Sequence, residues 1–347
     1  MKVKLGDLTK IRTGKLDANA SSPNGKYPFF TCSKEPLRIN SHSYDCECVL
    51  VAGNGDLNVK YYNGKFDAYQ RTYIIEDNGS NQLYMPYLYY FMEGYVEELR
   101  KLSIGGVIKY IKLGNLTEAL IELPKIEDQR TIVDIFNKSK RILSYHQQQL
   151  QKLDELVKAR FVELFGNPVI NNKGWNVSDL GQLTIKIGSG ATPKGGKEAY
   201  QTDGISLIRS MNVHNGKFEY KELAHISDEQ AARLENVAVE KNDVLLNITG
   251  ASVARSCVVP TNVLPARVNQ HVCIIRCKDS IMPDFINSLL IDDNYQDLLW
   301  SIAGSGATRE AITKQQVESL QIILPPISKQ EEFSKFINRV DKSKLSL

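Results

Sequence analysis

The stretch Ala191–Glu198, "ATPKGGKE", nearly spells a phosphate-binding loop. Such a loop cradles phosphate on backbone N–H groups and ends in Ser or Thr, whose hydroxyl binds magnesium. Glu198 stands at that last position, where a carboxylate repels phosphate instead. The six cysteines, Cys32, Cys46, Cys48, Cys257, Cys273 and Cys277, show neither of the paired C-x-x-C spacings of a zinc site. A shared four-thiolate site of Cys46, Cys48, Cys273 and Cys277 is conceivable, but reduced structural thiols are the expectation. The five histidines are scattered: His42, His146, His214, His225 and His271. No Asn-Pro-Pro-aromatic run, no glycine motif suited to S-adenosylmethionine and no carboxylate cluster beside a lysine completes a catalytic set. The chain is expected to be no enzyme and to hold no metal.

The other chemistry available is hydrogen bonding to base edges and phosphates. It needs amides, hydroxyls and cations on loops. In the first half the candidates are Asn54, Asn58, Lys60, Tyr61, Lys65, Gln70, Arg71 and Lys109. In the second they are Thr192, Lys194, Lys197, Arg209, Asn212, Asn247, Thr249, Arg255, Asn269, Gln270, His271, Thr308 and Arg309. A solvated loop produces the same composition, so these residue types are necessary for DNA reading without being sufficient. The net charge of +3 leaves a nucleic-acid partner open.

The elements that must position these residues repeat. "LPKIEDQRTI" from Leu123 returns as "LPPISKQEEF" from Leu324. Before each phrase, further fragments recur in the same order. Asp7-Leu8 answers Asp179-Leu180, and Ser33 after "YPFFTC" answers Ser210 after "GISLIR". "CVLVAGNG" from Cys48 answers "DVLLNITG" from Asp243, and "AYQRTYII" from Ala68 answers "RVNQHVCII" from Arg267. Met85-Pro86 and Met282-Pro283 each open a helix that closes on a Ser-Ile pair followed by glycines. Unbroken order identifies a duplication, with its extra length expected in loops such as "GSGATPKGGKEAYQTDG". Each copy reads as strand runs, a late helix, a glycine loop, a last strand and a departing helix.

The first departing helix is predicted over 126–165. Its seam of Ile132, Phe136, Ser139, Leu143, His146, Leu150, Leu153, Val157, Arg160 and Leu164 follows 4-3 spacing, which is coiled-coil patterning. His146 reads as a polar register-setting residue on that seam. The second helix, 326–347, carries Phe333, Ile337 and Val340, and less well Lys344 and Leu347. Antiparallel pairing places Leu347 near His146 and lets residues 328–347 cover about 146–165. Ile132, Ile135, Phe136, Ile142 and Leu143 are then left uncovered, as a surface for another protein or another copy.

At 347 residues, 42% hydrophobic and 24% charged, the chain suits two globular domains. It contains no run long enough to span a bilayer and "MKVKLGDLTK" lacks a signal-peptide core, so a cytoplasmic location is expected.

The ordered phrases "IELPKIEDQ", "IILPPISKQ", "RVNQHVCIIR" and "GSGATREAITKQQVESLQIILPP" give the chain a resemblance, over essentially its whole length, to the DNA specificity subunit of type I restriction-modification systems. The resemblance implies an α+β chain: target recognition domains at 1–125 and 166–325, a spacer helix at 126–165 and a second helix at 326–347, the two helices forming an antiparallel coiled coil. It implies that each domain reads one part of a bipartite site in double-stranded DNA. It further implies that the helices set the spacing and dock modification subunits, that restriction subunits join these, and that S-adenosylmethionine, ATP and Mg belong to the partner subunits alone. The second helix is shorter than the family's usual one. That departure leaves a second reading open: a shortened specificity subunit that homodimerises or sequesters modification subunits.

Overall fold

The computed structural model describes residues 1–192, 195–304 and 310–346, with the side chains of Lys197 and Ala199 left out. It contains two compact units, Met1–Tyr145 and His146–Leu347.

In the first unit the order is β1 (Lys2–Lys4), α1 (Leu5–Leu8), β2 (Thr9–Thr13), β3 (Tyr27–Phe30), β4 (Leu37–Ile39), β5 (Tyr44–Ala52), β6 (Val59–Ala68), β7 (Thr72–Asp77), α2 (Met85–Leu102), α3 (Leu113–Thr117) and β8 (Leu120–Glu122). The helix α4 (Ile126–Phe165) follows. Six strands form one sheet in the order β2-β7-β5-β6-β3-β4, and β1 pairs with β8 apart from it. Because strand side chains alternate, β5 serves two cores. Val49 and Val51, with Ile75 of β7, face the apolar stripe Leu88, Met92, Val96 and Leu99 of α2. Cys48 and Leu50, with Ile74, face Phe30, Tyr44 and Phe66 on the other side.

The second unit adds β9 (Asn176–Asp179), β10 (Thr184–Ser189), β11 (Ile205–Ile208), β12 (Val213–His214), β13 (Lys217–Phe218), β14 (Ala224–Ile226), α5 (Asp228–Ala232), β15 (Ala238–Val239), β16 (Val244–Asn247), β17 (Ser256–Val258), β18 (Ala266–Val268), β19 (Val272–Cys277), α6 (Pro283–Leu290), α7 (Asp293–Gly304), α8 (Lys314–Glu318), β20 (Gln321–Leu324) and α9 (Ile327–Leu345). Its sheets are β10-β19-β16-β17 and β14-β11-β18-β15, with β9 paired to β20 and β12 to β13.

The two plans share a common frame of strands. β2-β7-β5 corresponds to β10-β19-β16, and the parallel pair β3·β6 to β11·β18. The long β6 does the work of two short strands, pairing antiparallel with β5 along its length and parallel with β3 through Asp67 and Ala68. In the second unit Pro260 and Pro265, which lack N–H donors, fall between β17 and β18, and the single sheet becomes two.

The first matched pair of the sequence needs a different frame. Leu5-Gly6-Asp7-Leu8-Thr9 corresponds to Leu180-Gly181-Gln182-Leu183-Thr184. Thr9 Oγ1 donates to Leu5 O (2.7 Å) and Thr184 Oγ1 to Leu180 O (2.9 Å). Leu5 N and Leu180 N each donate to a carbonyl just before the last strand, Ala119 O and Leu320 O. Asp7 and Asp179 matched only because aspartate occurs on both sides of that turn. The extra length also lies elsewhere than expected. Most of it falls between β11 and β16 and is structured as the β12-β13 hairpin, α5 and β15, while β14 pairs with β11 as β4 does with β3. Asn215-Gly216 turns the hairpin, with Gly216 at φ +69°.

α4 runs 40 residues, about 60 Å at 1.5 Å per residue. Glu127 and Asp128 sit favourably in its first turn. Gly166, at φ +79°, ends it by donating its N–H to Val162 O. Within the second unit α9 packs antiparallel on α4, its contacts running from Asp154 to Phe165. Lys344 pairs with Asp154 (2.8 Å) and Glu332 with Arg160 (2.5 Å). Phe333 is fully buried against Phe161 and Phe165, which are more enclosed than the seam position Arg160. There the helix end leaves coiled-coil packing and enters the globular core. Leu347 lies outside the described residues.

Candidate nucleic-acid interface

In the first unit four loops meet beyond the ends of β2, β5, β6 and β7, laced by backbone hydrogen bonds. Gly14 N donates to Thr72 O (3.0 Å) and Gln70 N to Leu16 O (2.9 Å). Gly53 N donates to Arg71 O (2.8 Å), Gly55 N to Lys109 O (3.0 Å) and Ile111 N to Gly53 O (2.9 Å). Gly14 is required because a Cβ there would collide with the carbonyls of Ala68 and Tyr69.

This cluster gathers Asn54, Asn58, Gln70, Arg71 and Lys109. Gln70, Arg71 and Lys109 are exposed and Asn54 half-buried. Gln70 Nε2 donates to Asp17 Oδ1 (2.8 Å). Asn58 Nδ2 donates to Cys32 O and Asp56 O (2.8 Å each), and its Oδ1 accepts from Lys60 Nζ. Burial holds the Lys60 amine below its ordinary pKa, against the pull of Cys32 and Glu35. Two candidates lie away from the cluster, farther along β6. Tyr61 packs on Tyr89 of α2 and donates to Glu47 Oε1 (2.7 Å), while Lys65 pairs across the ladder with Asp45.

The second unit laces its loops alike, three bonds matching one for one while the glycine crossing uses a different carbonyl. Gly190 N donates to Asn269 O (3.1 Å), Ile248 N to His271 O (3.0 Å), Gly250 N to Glu310 O (2.9 Å) and Ile312 N to Ile248 O (2.8 Å). Gly190 takes the place of Gly14, its missing Cβ making room for the Val268 carbonyl. Side chains here form one directional chain. Thr192 Oγ1 donates to Gln270 Oε1, and Gln270 Nε2 lies 3.1 Å from His271 Nε2. Since an amide nitrogen can only donate, His271 Nε2 accepts and Nδ1 carries the proton toward Thr249 Oγ1, 2.5 Å away.

Three candidates in this unit turn inward. Asn212 is fully buried, with Oδ1 accepting from Arg209 N (3.0 Å) and Nδ2 donating to Glu219 O (2.9 Å) and Lys221 O (3.4 Å). Asn247, equally buried, donates to Ser210 O (2.8 Å) and Val213 O (3.4 Å). Asn269 is buried and its Oδ1 takes the N–H of His271 (3.0 Å). These buried amides bond the backbone that shapes the loops. Sequence marks them as polar loop residues but not which way they point. Arg209 lies over the Tyr200 ring at 5.3 Å and donates to Glu222 O. Arg255 is half-buried just before β17. Lys194, Thr308 and Arg309 lie outside the described residues, as does the side chain of Lys197.

The sequence reading missed Gly14, Gly190 and Asp17. Aligning the two Leu-Gly-x-Leu-Thr turns sets Gly14 against Ser189, because β10 carries one extra residue at its bulge. Five of the six thiols are built into or against cores, and Cys32 lies in the loop cluster with its Sγ 3.6 Å from Arg71 O. Burial pushes Cys257, Cys273 and Cys277 each up to about 12, and raises Cys46 and Cys48 too. Among the described residues no group of three or more His, Cys, Asp or Glu could hold a metal, and no helix is long and apolar enough to cross a membrane.

On α4, Val133 is buried and Ile132 half-buried, while Ile135, Phe136, Ile142 and Leu143 are exposed. Phe136 is partly engaged inside its own unit. Its ring stacks on Tyr90 at 4.9 Å, Tyr90 Oη donates to Asn137 Oδ1 (2.6 Å), and Lys140 pairs with Glu93 (2.8 Å).

The comparisons with known proteins likewise match each half of the chain. The family profile described as "Type I restriction modification DNA specificity domain" matches residues 1–155 and 172–347. The chain belongs to this type I DNA specificity family. A relative in Escherichia coli, the "Type I restriction enzyme EcoDI specificity subunit", is 37% identical over 156 residues, which are 45% of this chain and 34% of that one. The chain therefore spans about a third of that relative's length. The "Type I restriction enzyme MjaVIII specificity subunit" of Methanocaldococcus jannaschii is 19% identical over 98% of this chain and 85% of its own. The crystal structure of the type I S subunit from M. genitalium is 14% identical, covering 100% of this chain and 90% of that one with a TM-score of 0.64. That likeness establishes the shared fold of the type I specificity family.

Proposed function

We propose that this chain is the sequence-specific DNA-binding subunit of a type I restriction-modification complex, each unit reading one part of a bipartite site. The observation that carries this is the duplicated loop cluster: closely similar backbone lacing in both units, with different side chains mounted on it. A shared scaffold with separate chemistry is what two half-sites of different sequence require. α4 and α9 supply the stiff spacing between half-sites. Modification subunits dock on the helices, restriction subunits join them, and S-adenosylmethionine, ATP and Mg act in those partners and not in this chain. The location is cytoplasmic, where the DNA is.

The test is co-expression with the modification subunit and genome-wide mapping of methylated adenines. A split motif present only with this chain supports the reading, and no complex together with no motif rejects it. Exchanging residues 166–325 for those of a relative changes one half of the motif. If both halves change, the assignment of units to half-sites is wrong.

The exposed stripe Ile135, Phe136, Ile142 and Leu143 favours a second reading, in which the chain pairs with another copy or occupies modification subunits without productive recognition. The mass of the purified chain in solution separates the two, a discrete dimer supporting self-completion.

A further inference from the structure

The loop between α2 and α3 carries an apolar tip that the fold leaves uncovered. Val107, at 104% relative exposure, is more exposed than any other large apolar side chain among the described residues, and Ile108 beside it is 62% exposed. The tip is held by a backbone hairpin. Ile104 N donates to Tyr110 O (3.0 Å) and Tyr110 N to Ile104 O (2.9 Å). Gly105, at φ +115°, lets the turn close, since a Cβ there would stand 2.6 Å from Ile108 O. Its base is stitched into the loop cluster through Lys109 O, which accepts from Gly55 N, and through the Asn54·Tyr110 bridge. Ile111 anchors it in the core.

We propose that Val107 and Ile108 act as an apolar wedge seated against a base step of the half-site read by the first unit. This rests on the DNA-reading assignment above. β-Branched side chains have little rotamer freedom to lose on insertion, and proteins that distort duplexes place such residues between base steps. The surroundings favour nucleic acid over an apolar protein groove. The exposed Lys109 is the next residue, Lys112 is exposed just beyond, and Asn54 and Arg71 stand on the adjoining loops. The apolar pair belongs to the first unit's sequence. The segment corresponding to it in the second, set by Gly250 N on Glu310 O as Gly55 N is set on Lys109 O, reads Ser305-Gly306-Ala307-Thr308-Arg309 and has no large apolar side chain.

The experiment assembles the full chain with its modification subunits, maps the methylated motif, then titrates duplexes carrying 2-aminopurine at successive positions of both half-sites. A fluorescence rise of several-fold at one step of the first half-site only is expected on binding. Val107→Ser/Ile108→Ser should abolish it and weaken binding roughly ten-fold, in line with the loss of an apolar wedge between bases, while leaving melting unchanged. A motif without any responding position, a response that survives the double substitution, or loss of modification subunits from the variant overturns the wedge and leaves DNA reading standing. Absence of any motif overturns both.

Discussion

Gln129 Oε1 accepts the backbone N–H of Tyr84 at 2.8 Å across 45 residues of sequence, and Gln330 Oε1 does the same for Met282 at 2.9 Å across 48. Both glutamines are buried, and each donates Nε2 to the carbonyl of a proline in its own Leu-Pro phrase, Pro124 or Pro325. Gln129 also donates to Gln82 O (2.8 Å). The glutamine of the repeated phrase is thus a clasp. It satisfies the start of the Met-Pro helix and fixes the point where the departing helix leaves its unit.

Gln330→Ala leaves the Met282 N–H and the Pro325 carbonyl buried without partners, at about 1–3 kcal/mol each. A loss of roughly 2–4 kcal/mol in the second unit is expected. Both tryptophans, Trp175 and Trp300, lie in that unit, so the urea midpoint read by tryptophan fluorescence falls. Gln129→Ala should leave this midpoint in place. An unmoved midpoint for Gln330→Ala would show that the clasp stabilises nothing.

The clasp also shows how far the sequence could be read. Gln129 and Gln330 were visible as a repeated letter, and the order of elements followed from the matched fragments. What escaped were features decided by direction and closure. Asn212 and Asn247 look like Gln270 in sequence, yet face inward because the backbone groups of 209–221 need partners. The division of β6 into β17 and β18 depends on which neighbour each strand meets, and neither periodicity nor composition encodes that. The exposed stripe on α4 was legible because helical spacing alone assigns residues to a face.

Gly190→Ala forces a Cβ into the Val268 carbonyl at the crossing that supports Gln270 and His271. A destabilisation of roughly 2–4 kcal/mol follows from moving packed backbone, together with loss of the second half of the methylated motif. Gly188→Ala, two residues earlier and near the end of β10, has nothing within 4 Å of its Cβ. It serves as the control and should leave both midpoint and motif intact. Equal damage from the two substitutions would point to strand propensity rather than close approach.

Asp284, in the first turn of α6, has its pKa raised by burial, with Asp341 adding to the rise and the Ser334 hydroxyl opposing it by hydrogen bonding. Its folded carboxyl therefore binds a proton more tightly than the unfolded one, whose pKa is about 3.9. Between that value and the raised one the native state holds more protons, so stability falls as pH rises through the window. Asp284→Asn removes this slope. Urea midpoints of wild type and variant should converge near pH 4 and separate in favour of the variant toward pH 7. A variant that is less stable at pH 7 would show that the α6 dipole and Ser334 outweigh burial.

Gln70 and Gln270 occupy the same place on the two scaffolds, each in the turn entering β7 or β19 and each bonded to the loop that follows the glycine crossing. If each reads a base, Gln70→Ala relaxes one position in the first half of the motif and Gln270→Ala one position in the second. Each should reduce discrimination by about 1–3 kcal/mol, the range of a bidentate amide–base contact. Lys109→Ala should act differently. Losing a phosphate contact weakens all sequences alike and lowers the slope of log affinity against log salt by about 0.9. Methylation mapping checks the first two and salt titration of duplex binding the third. Gln270→Ala altering the first half would detach unit from half-site, and a sequence-dependent effect of Lys109→Ala would move that lysine from the backbone to a base edge.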